Sequence, residues 1–205
     1  MKKIILLVIC LCMVLSLCGC GGNEGDVVSS TPTFYDGEST ITLNANNIIN
    51  EIKTGEVNVE YEDIDDSILT QKISLRMSSA DFRASFNEND YYREEGTKFI
   101  RYTIGGYFIY FTNDDTNSGI AAIVNPDTVY GFEPTITTEN DVVSVLGNGI
   151  KSGAVPEEVS DMLLYGESGS TYQVYKYDNN VVAFFFGDNG KLKLTVLSQD
   201  GLWIY

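Results

Sequence analysis

The amino-acid sequence predicts an α+β fold in which short helices lie on one face of an antiparallel sheet. Apolar residues alternate with polar ones in many short segments, as is typical of half-buried strands. Gly-Gly, Asn-Asn and Asn-Gly pairs separate these segments and indicate tight turns. In two places a hydroxyl residue is followed three positions later by an acid and then by an apolar residue, which marks the start of a helix. Together these patterns predict two tandem units, each a helix followed by an antiparallel meander.

A short helix is predicted near the start of the ordered part of the chain, at about Thr42. Asn44 or Asn46 can cap it, and Gly55 suits the position after its last turn. Its apolar face consists of three isoleucines, Ile48, Ile49 and Ile52.

The segment that follows this helix has a mixed pattern. Alternation predicts a strand over residues 57–61 and a further alternating segment over 73–77. We expect residues 63–71 between them to form a helical turn. This segment precedes the first of the two tandem units.

The helix of each unit is predicted from its cap. Ser78 and Asp81 mark the first helix start, and Thr138 and Asp141 mark the second. The acid can accept hydrogen bonds from the amides of the first turn, with Asp as a shorter substitute for the usual Glu of a capping box. Gly147 is expected to end the second helix.

A hairpin and a third strand follow each helix. The first unit has expected strands at 98–104, 107–112 and 120–124, with Gly105-Gly106 as the hairpin turn. The second has expected strands at 172–177, 181–186 and 191–197, with turns at 178–180 and 188–190. An insertion over roughly 150–164 explains the greater length of the second unit, and Pro156-Glu157-Glu158 can open an extra helix there. Chance similarity of two ordinary α+β segments is the alternative.

Pairing across the turns assigns side chains to the two faces of the sheet. A two-residue turn at Gly105-Gly106 predicts an apolar face beneath the helices, made of Ile100, Tyr102, Ile104, Tyr107, Ile109 and Phe111. In the second unit we expect the corresponding buried set to be Tyr175, Tyr177, Val182, Phe184, Leu192, Leu194 and Val196.

The opposite face of the sheet gathers aromatic and basic side chains and is the candidate partner-binding site. Its members are Phe99, Arg101, Phe108, Tyr110, Lys176, Phe185 and Lys193. Aromatic residues and Arg are enriched in the centres of protein interfaces. We therefore expect an exposed platform that binds a protein or peptide partner. The alternatives are a solvated face that binds nothing and a face covered by the N-terminal segment.

The composition excludes several kinds of site. The chain has no histidine, and its four cysteines all lie among the first 20 residues, at Cys10, Cys12, Cys18 and Cys20. A Ser-His-Asp triad, a Cys–His dyad or a Cys/His metal site therefore cannot be built from the rest of the chain. We predict no catalytic residue, no metal site and no cofactor. A hydrolase that uses two carboxylates on envelope polymers is the less favoured alternative.

The chain is strongly acidic. Without Lys2 and Lys3, which lie in the apolar N-terminal segment described below, the chain keeps 11 of its 13 basic residues against 29 acidic ones and has a net charge of −18. Such a surface is repelled by nucleic acid, so none is expected as a partner.

The N-terminus resembles the signal peptide of a bacterial lipoprotein. Lys2 and Lys3 precede an apolar run over 4–18, and Leu17-Cys18-Gly19-Cys20 is similar to a lipobox. The run is too short to favour a membrane-spanning helix. The resemblance implies a signal peptide over 1–19, a lipid on Cys20, a flexible tether over 20–41, and a protein anchored to the cell membrane outside the cytoplasm.

The predicted units also resemble a known fold. The helix start at Thr138–Leu146 and the segment Phe184–Leu192 are similar to modules of the β-lactamase-inhibitor-protein-like fold and of small SmpA/OmlA-type outer-membrane assembly lipoproteins. The resemblance implies a binding role, or as an alternative a structural or assembly role, with units over 42–130 and 131–205. It leaves the partner and the oligomeric state open.

Overall fold

Antiparallel strands make up most of the fold. The computed structural model describes residues 33–35, 40–63, 65–113, 119–156 and 171–201, which contain twelve strands and three helices. The strands are β1 (Thr33–Tyr35), β2 (Thr40–Thr42), β3 (Glu56–Glu62), β4 (Ile68–Ser74), β5 (Tyr92–Glu95), β6 (Phe99–Ile104), β7 (Tyr107–Thr112), β8 (Ile120–Asn125), β9 (Lys151–Ala154), β10 (Thr171–Tyr177), β11 (Asn180–Phe186) and β12 (Leu192–Gln199). The helices are α1 (Ala45–Thr54), α2 (Ser79–Ala84) and α3 (Glu139–Leu146).

Eight strands form one antiparallel sheet in the order β5-β6-β7-β8-β12-β11-β10-β9. β5 to β8 form one four-stranded meander and β9 to β12 form the other, and the two meanders meet where β8 pairs with β12. β3 pairs with β4, and β1 pairs with β2, in two separate two-stranded sheets. An antiparallel sheet accompanied by a few short helices confirms the predicted α+β class.

The Gly105-Gly106 turn sets the register of the β6–β7 hairpin as predicted. Both glycines have positive φ, 53° and 84°, which a tight two-residue hairpin turn requires and which glycine adopts without strain. Ile104 pairs with Tyr107 across the turn. The remaining predicted pairs, Tyr102 with Ile109 and Ile100 with Phe111, are also confirmed.

The caps of the helices are those that the sequence predicts. Of the two candidates for α1, Asn44 is the N-cap, and its side chain accepts a hydrogen bond from the Asn46 N–H at 2.9 Å. Thr138 and Asp141 form a complete capping box at α3, which satisfies amides that the helix itself leaves unpaired. Ser78 caps α2 in a similar way through the Asp81 N–H.

The main hydrophobic core lies between one face of the large sheet and the layer formed by the helices and the β3–β4 hairpin. Its buried side chains include Ile52, Val59, Ile73, Phe82, Tyr102, Ile109, Phe132, Val142 and Phe184. Most of the set predicted to lie beneath the helices belongs to this core, including Tyr175, Val182 and Leu192.

Two members of that predicted set lie on the other face of the sheet. Leu194 and Val196 belong to the second buried cluster, because the register between β11 and β12 shifts between Phe185 and Phe186. One extra residue in a strand reverses the alternation beyond it. The placement of Leu194 and Val196 beneath the helices is therefore wrong.

Residues 63–71 do not form the predicted helical turn. The Asp63 N–H donates to the Ser67 carbonyl at 2.9 Å and closes a hairpin. The Asp65 carboxylate accepts hydrogen bonds from the N–H and the hydroxyl of Ser67, at 3.2 and 2.6 Å. This local bonding favours a turn over a helix, and β4 begins directly after it.

Four short strands were not predicted as strands: β1, β2, β5 and β9. β1 and most of β2 lie within the segment expected to be a tether. The leader, Cys20 and the predicted extra helix after Pro156 lie outside the described residues. Among the described residues, no helix is both long and apolar enough to cross a membrane.

Candidate functional site

The residues predicted to bind a partner lie mainly on the face of the sheet opposite the helices, here called the second face. Tyr110 and Phe185 belong to its central cluster, Phe99 and Phe108 pack against that cluster, and Arg101 is the cross-strand partner of Tyr110. Lys176 pairs with a member of the same cluster, Val181, whereas Lys193 lies at the irregularity where β12 shifts register. The second face thus brings six of the seven residues to one side of the sheet.

The centre of the second face is buried, so the expectation of an exposed platform is wrong there. Tyr110 and Phe185 expose only 5% of their surface each. Most of the side chains around them are apolar and fully or almost fully buried: Ala122, Val124, Val174, Val181, Ala183, Leu194 and Val196. Neither Tyr110 nor Phe185 is available to an external partner in this conformation. Whether the other five residues contact a partner stays a prediction.

The sequence contains a signal for this burial. β8 reads Ile-Ala-Ala-Ile-Val-Asn and β11 reads Asn-Val-Val-Ala-Phe-Phe-Phe, so both strands are apolar on each face. Strands with nearly continuous apolar runs are typically buried on both sides, whereas strands that face water on one side alternate. The central strands of the sheet therefore indicated two covered faces.

Arg101 is not the free positive charge that the sequence suggested. Its guanidinium forms an ion pair with Glu94 on β5, and its side chain is only 18% exposed. The guanidinium carbon lies 5.0 Å from the centroid of the Phe108 ring, within the range of a cation–π interaction. Arg101 also hydrogen-bonds Tyr110. These contacts hold the side chain across β5, β6 and β7.

Tyr110 stays a neutral hydrogen-bonding group at ordinary pH. Burial raises the pKa of its phenol, and the hydrogen bond and charge of Arg101 oppose part of that increase. Its ring meets the ring of Phe99 edge to face, with centroids 6.1 Å apart and an interplanar angle of 85°. Phe99, Arg101 and Tyr110 thus form one packed unit with Phe108.

In the second meander the predicted residues are also engaged. The ammonium group of Lys176 lies 2.5 Å from a carboxylate oxygen of Asp200. Phe185 stacks on Tyr172, with ring centroids 5.8 Å apart at 22°. The stem of Lys193 lies so close to Gly187 that a Cβ there would be 2.5 Å from the Lys193 Cε. The basic character expected of this face is therefore largely neutralised within the protein.

Tyr92, which was not among the predicted site residues, is a highly exposed aromatic side chain on the second face. Tyr92 on the edge strand β5 exposes 66% of its surface. Tyr92 pairs with Thr103, and Thr103 pairs with Phe108, so these three side chains form a row across the second face. We call Tyr92, Phe99, Arg101, Thr103 and Phe108 the β5–β7 patch. Except for Tyr92, its members are half-buried.

The described residues contain no group of three or more His, Cys, Asp or Glu side chains that could hold a metal ion. The acidic side chains of the β5–β7 region are used in ion pairs: Glu94 with Arg101 and Glu95 with Arg93. What the β5–β7 patch offers chemically is therefore an aromatic surface whose neighbouring charges are balanced.

No protein-family model matches the chain, and no curated protein matches it in sequence. A solved structure that is similar is that of YjgB, a DUF4309 family protein from Bacillus subtilis subsp. subtilis strain 168, at 14% identity and a TM-score of 0.46. The similarity covers 76% of this chain and 95% of that protein. At this identity and TM-score it assigns neither a family nor a function.

Proposed function

We propose that this protein is a lipid-anchored binding module that faces outside the cytoplasm and captures a protein or peptide partner without catalysing a reaction. The observation that carries the proposal is the 66% exposure of Tyr92, which lies at the end of the Tyr92–Thr103–Phe108 row of the β5–β7 patch. Tyr is among the residues that dominate the energy of protein interfaces. The absence of histidine from the whole chain removes the commonest general base and favours binding over catalysis.

The β5–β7 patch has the layout of a small interface. Phe108 is half-buried beneath the Arg101 guanidinium, and Phe99 is half-buried against the Tyr110 ring, so little side-chain entropy is lost when a partner covers them. Tyr92 supplies a large apolar ring with a polar tip at the edge. The charges beside the patch are internally paired, which favours a partner that offers apolar side chains.

We further propose that the two meanders are copies of one unit. Three features support this: α2 precedes β5–β8 and α3 precedes β9–β12, each helix has a hydroxyl N-cap and an acid at its third position, and the last strands of the two meanders pair antiparallel. Units over 42–130 and 131–205, the second carrying an insertion, agree with this arrangement.

The anchor is tested by replacing the lipobox cysteine. Cys20→Ser removes the only thiol that the expected cleavage leaves, so we expect the protein to move from the membrane fraction to the soluble fraction and to lose incorporation of labelled palmitate. Cys12→Ser, which lies inside the apolar run of the leader, is the matched control and should change neither property. Incorporation of label by Cys20→Ser would contradict the proposal.

The binding role is tested at Tyr92. A photoreactive phenylalanine analogue in place of Tyr92 should crosslink one reproducible partner in the envelope of cells that express the protein. The same analogue at Ile68, which is 76% exposed on β4 of a different sheet, is the control and should not. Tyr92→Ala should reduce capture of the identified partner at least tenfold, since large interface aromatics each contribute about 2 kcal/mol or more.

Two results would count against the binding role. One is equal crosslinking from Tyr92 and Ile68, which would indicate nonspecific contact. The other is full capture by Tyr92→Ala. Because Tyr92 is mostly exposed, its replacement should leave the circular-dichroism spectrum and the unfolding midpoint unchanged, so a lost partner would not reflect a lost fold.

A further inference from the structure

We propose that the outer edge of β5 receives an extended segment of the partner as an additional antiparallel strand, and that this segment alternates apolar and basic residues. The inference rests on the proposed binding function and specifies the kind of partner. It is carried by the hydrogen-bond phase of β5, the position of Tyr92, and the charges along the edge.

The phase of the β5–β6 ladder shows which backbone groups point outward. The Gly96 N–H donates to the Phe99 carbonyl at 2.8 Å, so this register pair is hydrogen-bonded. Pairs alternate between hydrogen-bonded and open along an antiparallel ladder, so Glu94 and Tyr92 bond to β6, while Arg93 and Glu95 present their N–H and C=O groups to the outer edge. Among the described residues these outward groups have no hydrogen-bond partner.

The opposite edge of the sheet is less suited to strand addition. β9 pairs Lys151 with Val174, yet it is the Ile150 N–H that donates to the Val174 carbonyl, at 2.7 Å. Gly153 in the middle of the strand has φ of 127°, outside the ordinary range of a strand. These two irregularities disturb the even row of outward groups that an added strand needs, whereas β5 keeps one register along its length.

The side chains on the second face indicate the character of those alternate residues of the added segment that would lie on this face. A strand next to β5 would place alternate side chains beside Tyr92 and Glu94, in line with Thr103 and Phe108. Tyr92 is 66% exposed, and among the described strands none lies beyond β5 on its outer side. An apolar side chain beside Tyr92 would cover the Tyr92 ring and extend the Tyr92–Thr103–Phe108 row by one strand.

The overall charge of the chain indicates that the remaining alternate residues of the segment would be basic, and it disfavours a second copy of this chain. On the helix face of β5, Arg93 and Glu95 form an ion pair at 2.5 Å, and the Glu95 side chain is 65% exposed. Arg101 pairs with Glu94, so the charges along this edge are locally balanced and the charge preference of the edge follows from the overall charge of the chain. The mature chain, with 11 basic and 29 acidic residues, repels another copy of itself and attracts a basic segment.

The test uses a synthetic peptide of alternating lysine and valine, eight residues long, with a peptide of alternating glutamate and valine as its control. Hydrogen exchange of the intact mature protein gives the direct readout. Adding the lysine peptide should slow exchange of the Arg93 and Glu95 amides at least tenfold, because these amides gain partners. The Glu94 amide is already bonded to β6 and should not change. The glutamate peptide should protect none of the three.

A matched pair of variants separates the backbone contact from the charge. Glu95→Pro removes one outward N–H without removing a ladder bond, which edge strands tolerate, whereas Glu95→Gln keeps the N–H and removes the same charge and ion pair. We expect Glu95→Pro to bind the lysine peptide at least tenfold more weakly than Glu95→Gln. If the proline variant fails to fold, the exchange pattern of the unaltered protein still decides.

The outcomes separate this inference from the proposed function. Unchanged exchange at Arg93 and Glu95 with both peptides overturns strand addition at β5, and equal protection by the two peptides overturns the proposed preference for a basic segment. If Tyr92→Ala nevertheless loses the crosslinked envelope partner, that result supports partner binding through the β5–β7 patch, and only the addition of a strand at β5 is contradicted. Protection of Arg93 and Glu95 by the lysine peptide alone, together with weaker binding by Glu95→Pro than by Glu95→Gln, supports the inference.

Discussion

At the scale of single residues, the buried polar groups of this protein differ in how well they are satisfied. The Asn180 side-chain amide donates to the carbonyls of Ile52 and Lys53, at 2.9 and 3.1 Å, and its oxygen accepts from Arg76 at 3.0 Å. These bonds satisfy carbonyls at the C-terminus of α1 and tie the helix to the start of β11. Tyr130 is the opposite case, since its hydroxyl is buried without a partner among the described residues.

We therefore expect Tyr130→Phe to leave stability at pH 7 unchanged or higher. Removing a hydroxyl that makes no hydrogen bond removes no stabilising interaction, and it eliminates a buried polar group that is unsatisfied. Tyr175→Phe is the matched control, because its hydroxyl donates to the Gly147 carbonyl at 2.8 Å. That variant should lose about 1 kcal/mol of unfolding free energy in urea. Equal losses in the two variants would contradict the expectation.

The same pair of tyrosines contributes to the loss of stability at high pH. Burial raises the pKa of Tyr130, with the charge of Glu51 adding to it, and burial also raises the pKa of Tyr175. The folded pKa lies above the unfolded value of about 10, so the stabilisation is complete below pH 10 and is lost as the pH rises above it. In urea unfolding at pH 11, Tyr130→Phe should therefore be more stable than the unaltered chain, by more than at pH 7.

At the scale of secondary-structure elements, turns and helix ends that are set by interactions within a few residues could be predicted from the sequence. The Gly105-Gly106 turn predicted three register pairs of the β6–β7 hairpin correctly, because a two-residue turn leaves only one register. The Thr138–Asp141 box predicted the start of α3, because its bonds lie within four residues. Asp65 and Ser67 show the converse: a side-chain bond over two residues converted an expected helical turn into a hairpin.

Features set by long-range packing were not predictable in the same way. The register shift between Phe185 and Phe186 depends on how β12 fits beside β11, and no local signal marks it, so Leu194 and Val196 were placed on the wrong face. β5 is only four residues long and highly charged, and it forms a strand through its pairing with β6. For the same reason Tyr92 was absent from the predicted site. The burial of Tyr110 and Phe185 is a different case, because the apolar runs of β8 and β11 are a sequence signal for it.

At the scale of the whole molecule, the excess of acidic over basic residues is the dominant feature. Five basic side chains in the described part of the chain form ion pairs: Lys53, Lys72, Arg93, Arg101 and Lys176. Most of these pairs are at the surface, where each contributes about 0–1 kcal/mol. They neutralise only a fraction of the 29 acidic residues, so the folded state carries a large uncompensated negative charge that opposes compaction.

Salt should therefore stabilise this protein. Raising sodium chloride from about 10 mM to about 500 mM shortens the Debye length from roughly 30 Å to about 4 Å and screens the repulsion among the acidic side chains. We expect a gain of about 1 kcal/mol, or about 2–4 °C in Tm, measured by thermal unfolding of a chain that begins at residue 20. A decrease in Tm would mean that the ion pairs outweigh the repulsion and would contradict this expectation.

The hairpin between β3 and β4 offers a variant that tests the cause of the salt effect. Asp63, Asp65 and Asp66 cluster at its tip, and Asp66 has φ of 62°, a conformation that Asn adopts as readily as Asp. Asp66→Asn thus removes one charge without adding backbone strain. It should raise Tm at low salt, and the difference should vanish at high salt, because screening removes the repulsion that the substitution relieves. A difference that persists at high salt would assign the effect to local bonding in the turn.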